Sequence, residues 1–320
     1  MSSTQATEDT GLGRSATKPR EIPRKGLWEV LKRTAGIFSE ERVSLVAAGV
    51  TYYLLLAVFP ALAVMVALYG FVADPSDITD HIEFLATVVP SGLLEIISGQ
   101  LQSLATQDSS AQGLAFIAGL LIAFWSANNG IKALFEVMNL AYGETEKRGF
   151  LALNAITLAF TLGAFVMAIS LITGVAVVPA VLSLLRLSGG SDTMVSLVRW
   201  PILLLVIAIG ISLLYRLGPS REKAKLRWLN WGAVVATLVW LITSFLFSIY
   251  VERYADYNAT YGTLGALIAS LVWMWISIVI LILGAKLNAE LEHQTQVDST
   301  TGRPQAIGER GAYVADTLPD

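Results

Sequence analysis

Six long apolar stretches between Val43 and Leu287 constrain this chain more than any other feature of its sequence. A helix needs about 20 mostly apolar residues to cross a bilayer. Inside the bilayer, the helix satisfies its own backbone hydrogen bonds. The stretches that meet this length are Val43–Ala73, Gly113–Tyr142, Phe150–Leu185, Leu197–Leu217, Trp228–Val251 and Gly262–Leu287. The sequence therefore predicts an all-α fold, a polytopic membrane protein whose six transmembrane helices form a bundle.

The composition supports this fold class. Hydrophobic residues make up 54% of the 320-residue chain and charged residues only 15%, which would leave a water-soluble protein with too much exposed apolar surface. The net charge of -3 carries no nucleic-acid signature, so we expect no nucleic-acid partner. The chain has no cysteine, which excludes disulfides and thiolate metal sites.

The distribution of Lys and Arg predicts the orientation in the membrane. Cytoplasmic segments near helix ends carry an excess of these residues. Eighteen of the 22 lie before the first stretch, in the second and fourth connections or in the tail, whereas only Arg186, Arg199 and Arg253 lie on the opposite side. Both termini should therefore be cytoplasmic. The first 42 residues contain no continuous apolar run, so we expect the first span to act as the insertion signal.

The two ends of the chain differ from the membrane domain, which we assign to residues 43–293. Residues 1–25 and 294–320 are rich in polar and small residues, and we expect them to be disordered cytoplasmic tails. Residues 26–42 predict an amphipathic interfacial helix, which would place Leu27, Trp28, Leu31, Ala35 and Phe38 near one face. A helix packed against the bundle is the alternative interpretation.

The loop over residues 74–112 is long and acidic, with no Lys or Arg. Apolar residues recur at helical spacing from Ile82 to Val89 and again from Leu93 to Leu104, with Pro90 between them. We expect two short amphipathic helices on the outer side of the membrane. They would cap the bundle, lie on the outer membrane surface or dock an envelope protein partner.

Polar residues interrupt the second stretch after an apolar run. They are Asn128, Asn129, Lys132, Glu136 and Asn139. Asn128, Lys132, Glu136 and Asn139 share one helical face at spacings of four, four and three. A charge in hydrocarbon is costly, so this face should look into the bundle, toward water or toward the cytoplasmic headgroups. One hypothesis makes it part of a substrate path; the other makes Lys132 and Glu136 an ion pair near the cytoplasmic boundary.

Two aromatic residues of the first stretch are further candidates for the same path. Tyr52 and Tyr53 lie in the middle of apolar sequence, where a buried tyrosine hydroxyl usually finds a hydrogen-bond partner. Their hydroxyls would either join neighbouring helices or face the polar residues of the second stretch.

Three segments together resemble the YihY/BrkB family of bacterial inner-membrane proteins. They are Ala48–Pro60 (AGVTYYLLLAVFP), Trp125–Tyr142 (WSANNGIKALFEVMNLAY) and Tyr261–Glu292, within a resemblance that covers Leu27–His293. It implies a multi-pass protein of the bacterial plasma (inner) membrane, with six helices and both ends in the cytoplasm. It also implies a transporter or permease role, although the family has been labelled as a virulence factor and, historically, as ribonuclease BN.

The residues themselves argue against ribonuclease activity. A metal-dependent ribonuclease needs clustered histidines and carboxylates, whereas this chain has only His81 and His293. It also lacks GxSxG, HExxH and Walker A motifs, so we expect neither an enzyme nor a cofactor. Two functions therefore compete: transport of a lipid-like or other amphipathic substrate, with membrane lipids as partners, and a non-catalytic envelope scaffold that binds a partner through the acidic outer loop.

Overall fold

A computed structural model describes residues 11–40, 43–70, 112–172, 191–253 and 265–319 of the chain. Within these ranges every regular element is helical, and the only β-pairing is an isolated bridge between Ala224 and Thr300. After a short 3-10 turn at Pro19–Glu21 come α1 (Arg24–Glu40), α2 (Val43–Gly70), α3 (Gln112–Ala141), α4 (Phe150–Ile172), α5 (Ser191–Leu217), α6 (Leu226–Arg253), α7 (Gly265–His293) and α8 (Tyr313–Asp316).

Three helices in the described part of the chain are long and apolar enough to cross a membrane. These are Phe150–Met167 in α4, Arg227–Arg253 in α6 and Leu267–His293 in α7. Shorter apolar helical runs occur at Val43–Ala57 and Pro201–Leu217. The all-helical membrane architecture expected from the sequence is therefore present. The predicted outer loop 74–112, apart from Gln112, lies outside the described residues.

The chain divides into two compact units. Unit 1 comprises Met1–Thr51, Leu134–Gly149 and Leu204–Asp320, and unit 2 comprises Tyr52–Ala133 and Phe150–Leu203. The divisions fall inside α2, α3 and α5, so these helices contribute to both units.

Unit 1 is organised around a close crossing of α6 and α7. Gly232 and Gly284 lie so close that a Cβ on Gly232 would come within 2.1 Å of the Gly284 carbonyl oxygen. The Asn288 side chain fixes the crossing, since its amide accepts a hydrogen bond from the Gly232 N–H (2.7 Å) and donates one to the Leu229 carbonyl (2.8 Å). Small residues allow this approach, and the asparagine sets its register.

The N-terminal helix α1 packs on the end of α7. Val30 and Thr34 are buried, and the Arg33 guanidinium donates to Glu290 at 2.6 Å. The opposite side exposes Trp28 (65%) and Leu31 (52%). One face of the helix thus packs on the protein, while its opposite face exposes apolar side chains.

The described residues near the two ends of the chain, 11–23 and 294–319, make buried contacts, although their composition is typical of disorder. Ala16 and Ile22 join Val30, Trp228 and Leu291 in a buried cluster. Polar contacts of two charged side chains, one buried and one half-buried, hold the C-terminal segment in place.

One of these ions is Arg310, which is 5% exposed and donates to the carbonyls of Ala315 and Gln296, both at 2.8 Å. The other is Asp316, whose carboxylate accepts the backbone N–H groups of Gly308 and Arg310. The expectation of disorder rested on the polar composition of this segment, and composition alone does not reveal such hydrogen bonds.

In unit 2, α3 packs against α2 and α4. An added Cβ on Gly130 of α3 would lie 3.1 Å from the Leu54 side chain and 3.4 Å from that of Ala57, so the backbones of α2 and α3 approach closely there. On α4, the ring of Phe165 stacks on Phe124 of α3 with centroids 5.9 Å apart. These contacts place the polar segment of α3 beside both neighbouring helices.

Candidate functional site

The residues of the predicted polar face fall in different units. Tyr52, Tyr53, Asn128, Asn129 and Lys132 belong to unit 2. Glu136 and Asn139 belong to unit 1, because the division of α3 lies between Ala133 and Leu134.

Asn128 is fully buried in unit 2, with 0% exposure. Its Oδ1 lies 3.3 Å from the Thr161 hydroxyl of α4, and its Nδ2 has no hydrogen-bond partner within the described residues. The Thr161 hydroxyl has one proton and also contacts the Thr157 carbonyl at the shorter distance of 2.8 Å. Whichever way the amide is assigned, one polar atom of Asn128 stays unsatisfied at a buried position.

A stripe of uncharged polar residues on α4 continues from this contact. Asn154, Thr157 and Thr161 follow at spacings of three and four and so share one helical face, and all three are buried. Asn154 donates to the Phe150 carbonyl at 2.7 Å, while its Oδ1 is buried without a partner in the described part of the chain. The stripe spans about 10 Å along the helix axis, at 1.5 Å per residue.

The polar residues of α4, Asn154, Thr157 and Thr161, were not among the site residues predicted from the sequence. Their signal was present, since three polar residues at helical spacing interrupt an apolar span. Threonine is easily discounted there, because its hydroxyl can bond to the carbonyl four residues earlier, as Thr157 does with Leu153 at 2.9 Å. Only the placement of α3 beside α4 shows that Thr161 also faces Asn128.

Lys132 is half-buried and carries its ammonium over the ring of Trp125, 4.8 Å from the centroid. The ring is 52% exposed and lies two turns nearer the N-terminus of α3, next to the helix midpoint. The described part of the chain contains no acidic side chain within ion-pairing distance of this ammonium. A cation–π contact is worth about 0.5 to 2 kcal/mol, less than the roughly 2.5 to 3.5 kcal/mol that a charge costs at the centre of a membrane helix.

The two tyrosines of α2 are exposed in unit 2, Tyr52 at 58% and Tyr53 at 51%. Their rings meet edge to face with centroids 5.8 Å apart. Both lie close in sequence to Leu54, which contacts α3 at Gly130. Neither tyrosine ring is enclosed by the described helices, and Asn129 of α3 is half-buried.

In unit 1, Asn139 is buried and joins two connections. Its Oδ1 accepts a hydrogen bond from the Ser220 N–H at 2.6 Å, and its Nδ2 donates to Glu146 at 3.1 Å. Glu136, one turn earlier, is exposed. These contacts give Asn139 a function in holding the connections after α3 and α5 together.

The carboxylate of Glu146 receives further bonds within its own connection. Arg148 donates to it from Nε at 2.7 Å and from Nη2 at 2.8 Å, and these bonds lower the pKa of Glu146 to about 2. The same guanidinium donates to the carbonyls of Leu217 and Gly218 at the end of α5. Glu146 therefore stays ionised and keeps Arg148 oriented.

The most buried ion pair in the described residues joins Arg221 to Glu292 of α7. Their side chains are 3% and 1% exposed, and Nη1 of Arg221 donates to Oε2 at 3.0 Å. The Ser299 hydroxyl donates to the same carboxylate at 2.6 Å, and the guanidinium lies 5.3 Å from the ring centroid of Tyr142. Burial alone would lower the pKa of Arg221, but the attraction of Glu292 outweighs it and the pKa is raised.

The described residues contain no group of three or more histidines or carboxylates that could hold a metal ion. His293 contacts Thr317, with Nε2 and Oγ1 3.1 Å apart, and lies 3.6 Å from Glu290. His81, together with the acidic loop proposed to dock a partner, lies outside the described residues.

Comparison with known protein families identifies one family model that matches this chain. The family model described as "Virulence factor BrkB" matches residues 34–308, which confirms the resemblance found from the sequence motifs. The ribonuclease-like protein YfkH of Bacillus subtilis is 32% identical over 259 residues, covering 78% of this chain and 90% of the relative.

Other relatives are named only as membrane proteins. A UPF0761 membrane protein of Idiomarina loihiensis is 24% identical over 80% of this chain and 88% of its own length. Another, from Aromatoleum aromaticum, is 30% identical over 84% of this chain and 65% of its own length. No solved structure matches the chain.

Proposed function

This chain belongs to the BrkB family of membrane proteins, and we propose that it is a transporter or permease for a lipid-like or other amphipathic substrate. The observation that carries the proposal is the buried polar stripe of unit 2, formed by Asn128 of α3 and by Asn154, Thr157 and Thr161 of α4. Buried polar groups inside apolar membrane helices are costly and are typical of substrate paths.

The stripe supports transport better than simple helix packing. Packing alone would favour fully satisfied hydrogen bonds, whereas Asn128 and Asn154 each bury a polar atom that has no partner in the described residues. Such atoms can bond to the polar part of a passing substrate and release it again at little cost. The stripe contains no charged residue, so it would accommodate neutral hydroxyl, amide or ester groups.

The proposed topology places this stripe across the cytoplasmic half of the membrane. We infer that α2 to α7 make six spans with both termini in the cytoplasm, in the bacterial inner membrane. The described helices are 23 to 30 residues long, and the distribution of Lys and Arg favours this orientation. Asn154 then lies near the cytoplasmic end of α4, and Thr161 lies near the middle of the membrane.

Movement of a fluorescent lipid tests the proposal. Purified protein is reconstituted in liposomes that contain phosphatidylglycerol with a nitrobenzoxadiazole label on one acyl chain, and externally added dithionite bleaches the outer leaflet. Protein that moves the lipid exposes the inner-leaflet label to dithionite. We expect Asn128→Leu and Thr161→Val to slow this phase by about tenfold, which corresponds to roughly 1.4 kcal/mol in barrier height.

Thr237→Val is the matched control. Thr237 is also a buried threonine in a membrane helix, and its hydroxyl donates to the Ala233 carbonyl at 2.8 Å, but it belongs to unit 1. This variant should move the labelled lipid at the wild-type rate. Wild-type protein that is no faster than empty liposomes, or stripe variants as fast as wild type, would overturn the proposal.

A further inference from the structure

We propose that the face formed by Trp125, Asn128, Asn129 and Lys132 binds an anionic group, with the chemistry of a phosphodiester or phosphomonoester. This inference rests on the proposed function, because it names the charge of the substrate. The four residues follow at spacings of three, one and three and therefore share one side of α3. All four belong to unit 2.

The position of the Lys132 ammonium is the first argument for an anion. A lysine near the end of a membrane helix normally extends toward the headgroups of its own side. Lys132 instead extends toward Trp125, next to the midpoint of a 30-residue helix and away from the C-terminal end that the charge distribution places in the cytoplasm. This direction takes the charge deeper into the membrane.

The lack of a counter-charge in the described residues is the second argument. The Trp125 ring contacts the ammonium, but a ring face provides only a partial negative charge. The ammonium keeps its remaining donors for another group, and Lys132 is accessible because it is only half-buried. An ion of opposite sign would complete the site at this depth.

The neighbouring amides supply the third argument. Asn128 is fully buried and its Nδ2 has no partner in the described part of the chain. Asn129, between Asn128 and Lys132 on the same side, adds a second amide. One ammonium and two amides provide the N–H donors that phosphate oxygens accept. The next carboxylate along α3 is Glu136, one turn after Lys132, which is exposed and belongs to unit 1.

Binding at equilibrium tests this inference without any movement across a membrane. Protein in a neutral detergent is titrated with phosphatidylglycerol and, separately, with zwitterionic phosphatidylcholine, and native mass spectrometry measures the bound fractions. Glycerol phosphate, a soluble phosphomonoester without acyl chains, is added in a third arm. Lys223→Gln is the matched control, because it removes one lysine charge from an exposed position in the connection between α5 and α6.

We expect wild type and Lys223→Gln to favour phosphatidylglycerol by about tenfold, which corresponds to roughly 1.4 kcal/mol. Lys132→Gln should abolish this preference, and Lys132→Arg should retain it because the charge is kept. Displacement of the lipid by glycerol phosphate supports a soluble anion as the source, and failure to displace it supports a lipid headgroup. An unchanged preference in Lys132→Gln would overturn the inference.

The outcomes separate this inference from the proposed function. If Lys132→Gln loses the preference but wild-type protein moves no labelled lipid, the anion site stands and transport fails. If Asn128→Leu and Thr161→Val slow transport while Lys132→Gln binds as wild type, transport stands and the anion site fails.

Discussion

The buried pair of Arg221 and Glu292 offers the sharpest test of how unit 1 is held together. Replacing Glu292 with Gln keeps the size of the side chain and the acceptor for Ser299, but removes the negative charge beside a guanidinium that is 3% exposed. Breaking one partner of a buried pair costs about 3 to 5 kcal/mol, because the other charge stays buried without compensation. Since Gln can still accept hydrogen bonds from Ser299 and Arg221, we expect about 3 kcal/mol.

A second substitution separates the charge from the packing. In Arg221→Met combined with Glu292→Gln, no uncompensated charge remains, so the double variant should be more stable than Glu292→Gln alone. Neutral replacements of whole buried pairs are often close to wild type in stability. The free energy of unfolding is measured by titrating detergent-solubilised protein with sodium dodecyl sulfate and following helix content. A loss below about 1 kcal/mol for Glu292→Gln, the range of exposed pairs, or a double variant less stable than the single one, would refute this reasoning.

Two further predictions concern the fold. Gly232→Ala should destabilise unit 1 by about 1 to 3 kcal/mol or more, because the new Cβ would lie 2.1 Å from the Gly284 carbonyl oxygen. Gly163→Ala is the control, because nothing lies within 4 Å of its added Cβ, and it should lose no stability. Thermal melting measures both variants, and equal melting temperatures would contradict this prediction. Glu146 has a folded pKa of about 2, below its ordinary value of 4.5, so its contribution to stability is present above pH 4.5 and is lost as the pH falls toward 2. Glu146→Gln should therefore melt lower than wild type at pH 7 and converge with it at low pH, whereas a constant difference between the melting temperatures would contradict this.

The sequence was sufficient for the all-helical membrane fold class, because bilayer physics leaves few alternatives for long apolar runs. The apolar runs predicted most ends of the long helices to within a few residues. For example, the predicted third stretch and the observed helix α4 both begin at Phe150. The start of α5 differs: it begins at Ser191 and not at Leu197, because polar residues can extend a helix beyond the apolar run that marks it. The same pattern identified Asn128 as a polar residue within an apolar span, and the structure buries it.

Tertiary partners could not be predicted in this way. Arg221 and Glu292 are 71 residues apart and carry no local signal, so Arg221 entered the sequence argument only as one cytoplasmic charge among many. The contact between Asn128 and Thr161 depends on which faces α3 and α4 turn toward each other. Spacing within one helix determines which residues share a face, and only packing determines what that face meets.

Thiol labelling tests the central claim, a polar path along the Asn128 face, most directly. The chain has no cysteine, so a single introduced thiol reports its own surroundings. Asn128→Cys is buried in the protein, whereas Leu162→Cys replaces a side chain that is 56% exposed on the apolar surface of α4. In intact membranes a small water-soluble methanethiosulfonate reagent should label Asn128→Cys and leave Leu162→Cys unmodified. Labelling of Leu162→Cys alone, or of neither, would contradict the existence of a polar path.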